Sequence, residues 1–182
     1  MIGVLVSGTG TNLQALLDAR LPVVAVASNK PGVQALERAE RAGVARAVFE
    51  LEDFGSREER DLAMAEWLGG HGAEIVVCAG YMHLLTPAFL ERFAAINVHP
   101  SLLPAFPGLD AVGQALAAGV RETGVTVHFV DDGVDSGPIL AQETVAIEEG
   151  DTAESLYQRI RAVEHRLLPD AIRVYLAGLV RS

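Results

Sequence analysis

Three stretches of this sequence carry residue types that could do chemistry together. Asn97-Val98-His99-Pro100-Ser101-Leu102-Leu103-Pro104 ends what reads as a buried strand. Period-2 alternation puts Asn97 and His99 on one face and Val98 on the other. An amide beside an imidazole offers a hydrogen-bond donor and a group that titrates near neutrality, at about pH 6.5. An Asn-x-His pair alone better suits a core histidine capped by a backbone carbonyl; the rigid proline loop behind it shifts the balance toward a site. The second stretch is Asp131-Asp132-Gly133-Val134-Asp135-Ser136-Gly137-Pro138. Asp131 and Asp132 read in part as a solvated hairpin loop. Asp135, flanked by Gly133 and Gly137, can fold against a site, where a carboxylate near His99 favours imidazolium.

The third stretch, Ser7-Gly8-Thr9-Gly10-Thr11-Asn12, lies between an apolar strand and an amphipathic helix. Glycines let the backbone turn tightly, and a helix start presents unpaired N–H groups to an anion. A phosphate at Gly10, Thr11 and Asn12 is one reading and a plain strand–helix turn the other. A dinucleotide site fits less well. Leu13 stands where the third glycine belongs, and the second strand ends Ala27-Ser28-Asn29 without an acid for a ribose. Metal binding is disfavoured too, because His99, His128 and the acids lack a short ligand spacing. Among other residues, His128 suits a structural or a site role equally. Trp67 is expected in the core, Cys78 buried, His71 on the surface, and Arg57 and Arg60 on a solvated helix face.

These residues need elements to hold them. Strands are expected at Ile2–Val6, Val23–Ala27, Ala45–Phe49, Ile75–Ala79 and Ile96–Val98. Helices are expected at Asn12–Ala19, Val33–Ala42 (stopped by Gly43) and from Ser56 to about Leu68, with a Ser56/Glu59 capping box. The alternation predicts an α/β fold: a Rossmann-like, doubly wound, mostly parallel sheet. After residue 100 the pattern changes to an ordered proline loop, Ser101 to Leu109, and a helix at Ala111–Ala118. Two strands follow, Val125–Val130 and Ile139–Ile147, then a helix from Ala153 to about Ala177 with a bend at Pro169. A single domain over 1–182 is expected, with a phosphate-binding half to residue 100 and catalytic loops beyond it.

Bulk properties exclude several classes. A net charge of −10 disfavours nucleic-acid tracking, yet permits an anionic small molecule at a helix start. No apolar run reaches the roughly 20 residues of a membrane span. The single cysteine and the absence of a leader pattern at Met1 suggest a cytoplasmic protein.

Taken together, the segments resemble the glycinamide ribonucleotide (phosphoribosylglycinamide) formyltransferase family. The resemblance rests on SGTGTNLQALL at 7–17, AGYMHLLTPAF at 79–89, INVHPSLLPAFPGLDAVGQAL at 96–116, GVTVHFVDDGVDSGPILAQ at 124–142 and RAVEH at 161–165. It implies formyl transfer from 10-formyltetrahydrofolate, a co-substrate rather than a bound cofactor, to the amine of 5-phosphoribosylglycinamide. It implies a catalytic trio of Asn97, His99 and Asp135, and a substrate site of Gly10, Thr11, Asn12, Arg161, Ala162, Val163 and Glu164. For folate it implies Arg57, Met82, His83, Leu84, Leu85, Asn97, Asp131, Asp132, Gly133, Val134 and Asp135. His83 stands where some relatives carry arginine, and Arg161 where some carry a neutral residue. Small-molecule substrates are the expected partners, with the protein a monomer or homodimer.

Two alternatives remain within formyl-folate chemistry. A methionyl-tRNA formyltransferase usually continues RGAAP after Leu-Leu-Pro, where this chain reads AFPGLDAV, and carries a further C-terminal domain. A formyl-folate hydrolase typically adds an N-terminal domain. A catalytically silent folate- or nucleotide-binding module is the alternative of another class, and the presence of all three catalytic residue types argues against it.

Overall fold

A computed structural model describes residues 1–179. It comprises two compact units, one from Met1 to Asn97 and one from Val98 onward. In the first, the fully buried strand β1 (Ile2–Val6) pairs in parallel with β2 (Val23–Ser28) on one side and β4 (Ile75–Cys78) on the other. Parallel pairing continues from β2 to β3 (Ala45–Val48) and from β4 to β5 (Ala94–His99), giving the order β3-β2-β1-β4-β5. Buried on both faces, β1 and β4 carry side chains that are almost all apolar, as a covered parallel sheet requires. The helices are α1 (Thr11–Asp18), α2 (Gln34–Arg41), α3 (Arg57–Gly70) and α4 (Pro87–Leu90). Chain order reverses between β1 and β4, so right-handed crossovers send α1 and α2 to one face and α3 and α4 to the other. The pairwise packing of α1 with α2 and of α3 with α4 agrees.

The helix ends follow from their sequences. Ser56 accepts from the Glu59 amide at 3.1 Å and starts α3. The reciprocal half of the expected capping box differs: the Glu59 carboxylate takes the Gly55 amide, at 2.9 Å. Two expectations need correction. Trp67 is half-buried rather than core, edge-on to Phe49 with ring centroids 5.9 Å apart and 4.4 Å from the His71 ring. Arg60 does not lie on a solvated face; its side chain is fully buried beside Asp61. The four-residue α4, with Pro87 in its first turn, is too short to show a period and was not expected. Strand β5 begins earlier than expected because Ala94 and Ala95 pair with Ile75 and Val76, tertiary context overriding alanine's weak strand preference.

Cys78 is buried as expected, and desolvation pushes its thiol up to about 12. Alkylation at pH 8 should therefore be far slower in the native protein than in denaturant. Equal labelling rates would show that β4 opens readily.

In the second unit β6 (Glu122–Phe129) pairs antiparallel with β7 (Ile139–Ala146). Asp110 caps α5 (Ala111–Ala117) by accepting from the Gly113 amide at 3.2 Å. The long α6 (Ala153–Leu179) packs on β6, β7 and α5. Its fully buried Leu156, Ile160, Leu168 and Ile172 recur at spacings of four and eight, forming one stripe. Pro169 lies inside α6 rather than ending it. Replacing Leu168 by alanine removes buried methyls from this stripe and should cost about 2–5 kcal/mol of stability. Urea unfolding is the check. Among the described residues no helix is long and apolar enough to cross a membrane.

Candidate active site

Open α/β sheets take ligands beyond the carboxyl ends of their strands, where the strand order reverses. In the first unit that place lies between β1 and β4. The loop after β1 is the glycine turn. Gly10 adopts φ of 71°, and a Cβ there would lie 2.6 Å from the Ala35 Cβ and 2.7 Å from its Cα. Only glycine meets both constraints. No side chain caps α1, whose first residues are the half-buried Thr11 and Asn12. Ala35 N–H donates to the Gly8 carbonyl at 3.1 Å and Arg38 Nε to the Thr9 carbonyl at 2.8 Å, fixing the turn on α2. Gly10→Ala should shift this turn against Ala35 and raise KM for a phosphorylated substrate. The check is a phosphate-protection melt, in which wild type gains Tm with phosphate and the variant gains less.

The loop after β4 approaches the same place. Ser7 Oγ accepts from the Met82 amide at 2.9 Å and donates to Asn29 Oδ1 at 2.5 Å. Met82 and Leu84 are 64% and 50% exposed, whereas Leu85 is buried. The exposed Arg57 donates from Nη2 to the Leu84 carbonyl at 3.2 Å. Two apolar side chains on an anchored, otherwise irregular loop suit the face of a flat ring better than they suit water.

The second unit brings His99 and Asp135 together. His99, 5% exposed at the end of β5, has Nδ1 3.3 Å from Asp135 Oδ2. Its Nε2 lies 2.8 Å from the Phe106 carbonyl. A carbonyl only accepts, so Nε2 carries a proton, and Nδ1 is the ring nitrogen that faces the carboxylate. Asp135 Oδ2 also accepts from the Gly108 amide at 2.8 Å, while Oδ1 lies 3.5 Å from His128 Nε2. The carboxyl sits below the ordinary carboxylate range. Burial pulls it upward, and the His128 hydrogen bond, the Gly108 amide and the charge of His99 outweigh that. Asp135 holds φ of 51°, uncommon for a residue with a side chain and of a kind concentrated at functional sites.

Neighbouring residues make this geometry possible. A Cβ on Gly137 would lie 1.9 Å from the Phe129 carbonyl, so the loop closes only with glycine there. Asp131 Oδ1 accepts from the Gly133 amide at 3.1 Å and from Ser136 Oγ at 2.7 Å, holding the loop on itself. Asp132 and Val134 are exposed. On the proline loop, Ser101 Oγ donates to the Ala105 carbonyl at 2.5 Å. Thr126 Oγ1 donates to the Ser101 carbonyl at 2.7 Å and accepts from the Leu103 amide at 3.1 Å. Asn97, half-buried, precedes His99 by two residues on β5 and shares its face.

On α6, Arg161 and Val163 are half-buried, Ala162 is exposed and Glu164 is 5% exposed. Arg161 Nη2 donates to Gln158 Oε1 at 2.8 Å. Sequence reasoning left His128 undecided, and the structure sets it against Asp135. It missed the buried Arg60–Asp61 pair altogether.

Comparison with known proteins adds the family. Residues 1–172 match the family model described as formyl transferase. The chain is 41% identical to phosphoribosylglycinamide formyltransferase of Bacillus subtilis (strain 168), over 95% of this chain and 93% of that protein. It is 45% identical to the trifunctional purine biosynthetic protein adenosine-3 of Chironomus tentans. That match takes in 99% of this chain but only 14% of the relative, so the chain spans about one seventh of that longer protein's length. The crystal structure of glycinamide ribonucleotide transformylase 1 from Symbiobacterium toebii is similar with a TM-score of 0.94 at 50% identity, over 97% of this chain and 87% of that one. The chain belongs to the formyl transferase family and is most at home among its phosphoribosylglycinamide formyltransferases.

Proposed function

We propose that this protein transfers the formyl group of 10-formyltetrahydrofolate to the amine of 5-phosphoribosylglycinamide, as one formyltransferase domain acting in the cytoplasm as a monomer or homodimer. The observation that carries the reading is the buried His99–Asp135 pair at the carboxyl end of β5. The uncharged amine attacks the formyl carbon, and the C=O π pair moves to oxygen. Collapse of the tetrahedral centre expels the folate nitrogen, which takes up the proton that the amine nitrogen loses. Asn97 and the His99 Nε2–H stabilise the negative oxygen. Asp135 holds the ring oriented and serves the proton transfer. The 2.8 Å contact of Nε2 with the Phe106 carbonyl fixes the ring's orientation.

Gly10, Thr11 and Asn12 receive the substrate phosphate. Arg161 to Glu164 contribute further substrate contacts. Arg57, Met82 to Leu85 and the loop 131–135 take the folate, its pterin edge against backbone groups. The test is release of tetrahydrofolate, followed spectrophotometrically with both substrates present. Turnover that requires phosphoribosylglycinamide supports the proposal. Release with water alone, or formylation of methionyl-tRNA instead, would replace it with one of the related formyl-folate reactions.

A further inference from the structure

We propose that Arg60 and Asp61 are positioning residues for formyl-folate, a buried ion pair on α3 that sets the backbone and the histidine tautomer of the 82–86 loop. The inference rests on the reading that this loop takes the folate. Both side chains are fully buried, with Arg60 Nη2 2.7 Å and Nε 3.0 Å from Asp61 Oδ1. A buried ion pair is seldom a gain over apolar residues of the same volume, so its retention calls for another role. Its remaining groups both reach the loop: Asp61 Oδ2 accepts from the Thr86 amide at 2.9 Å, and Arg60 Nη1 lies 3.3 Å from His83 Nδ1. The loop has almost no regular structure of its own between β4 and α4. These two bonds, with Ser7 on Met82 and Arg57 on Leu84, are its anchors.

The contact with His83 has a chemical consequence. A guanidinium has donors and no acceptor, so Nδ1 must offer its lone pair and the ring must be the neutral Nε2–H tautomer. The surroundings hold His83 below its ordinary range: burial first, then the guanidiniums of Arg60 and Arg57, with Lys30 adding and Asp61 opposing. Tyr81 packs against the ring at 5.8 Å. Arg60 therefore holds Nδ1 as an acceptor and leaves Nε2–H as the donor that position 83 presents.

The test uses the full chain and the neutral double variant Arg60→Met with Asp61→Asn, which removes both charges and so avoids stranding either one. In wild type, 15N NMR should show His83 as the Nε2–H tautomer; the Nδ1–H tautomer would overturn the geometry. In the double variant His83 should titrate at higher pH than in wild type. With formyl-folate varied, kcat/KM should fall about 10- to 100-fold through KM, the scale of a slightly misplaced binding group. KM for phosphoribosylglycinamide should stay unchanged, a split that general loss of stability would not produce. If wild type turns over and the double variant keeps its formyl-folate KM, the positioning role fails. If wild type itself does not use formyl-folate, the functional reading fails first, and with it this role.

Discussion

His99→Ala should lower kcat by at least about 100- to 1,000-fold, the loss expected when one preorganised donor to a developing oxyanion is removed. The variant should keep both KM values near wild type, because the interaction it removes strengthens only as charge develops. His99 is 5% exposed and joins Phe106 to Asp135, so deleting it leaves a small cavity and an unpaired carbonyl. Circular dichroism and a melt must accompany the kinetics. Lost turnover with a wild-type spectrum is the expected result. A folded variant that turns over at the wild-type rate would remove His99 from the chemistry and leave the pair with Asp135 a structural one.

Much of the first unit was legible because a parallel sheet buried on both faces writes itself as unbroken apolar runs. Ile2–Val6 needs no tertiary information, and Gly43 stops α2 with φ of 68° as a C-terminal glycine should. The glycine turn was legible in position, but the reason for Gly10 lay in Ala35, 25 residues on, whose approach leaves no room for a Cβ. Arg60 was illegible for a different reason. Within Arg57-Glu58-Glu59-Arg60-Asp61 every residue type favours solvent, and neighbours one apart on a helix do not normally face each other. The burial of Arg60 is permitted by Asp61 and His83, with the Thr86 amide taking the other Asp61 oxygen, partners that only the fold brings together. His128 shows the same gap: strand alternation placed it on one face of β6, and no spacing rule could say that Asp135 would turn back to meet it.

Asp135→Asn should cost turnover about 1,000- to 10,000-fold, the scale at which a carboxamide acts when it replaces the carboxylate that orients a catalytic imidazole. The carboxylate accepts on both oxygens: Gly108 N–H and His99 on Oδ2, His128 on Oδ1. An asparagine has one acceptor oxygen; kept at the Oδ2 position, where Gly108 N–H needs an acceptor, it turns the NH2 toward His128 and leaves His99 facing a neutral carbonyl oxygen in place of a full negative charge. The effect on stability has a definite sign. Because the native carboxyl sits below the ordinary range near pH 4, its contribution is fully present above the unfolded-state value and is lost as pH falls through the native one. The stability gap between wild type and Asp135→Asn, read from urea unfolding, should thus be constant from about pH 5 to 8 and narrow below about pH 4. A gap that widened on acidification would mean that Asp135 is held protonated rather than ionised, and the proton-relay role assigned to it would fail.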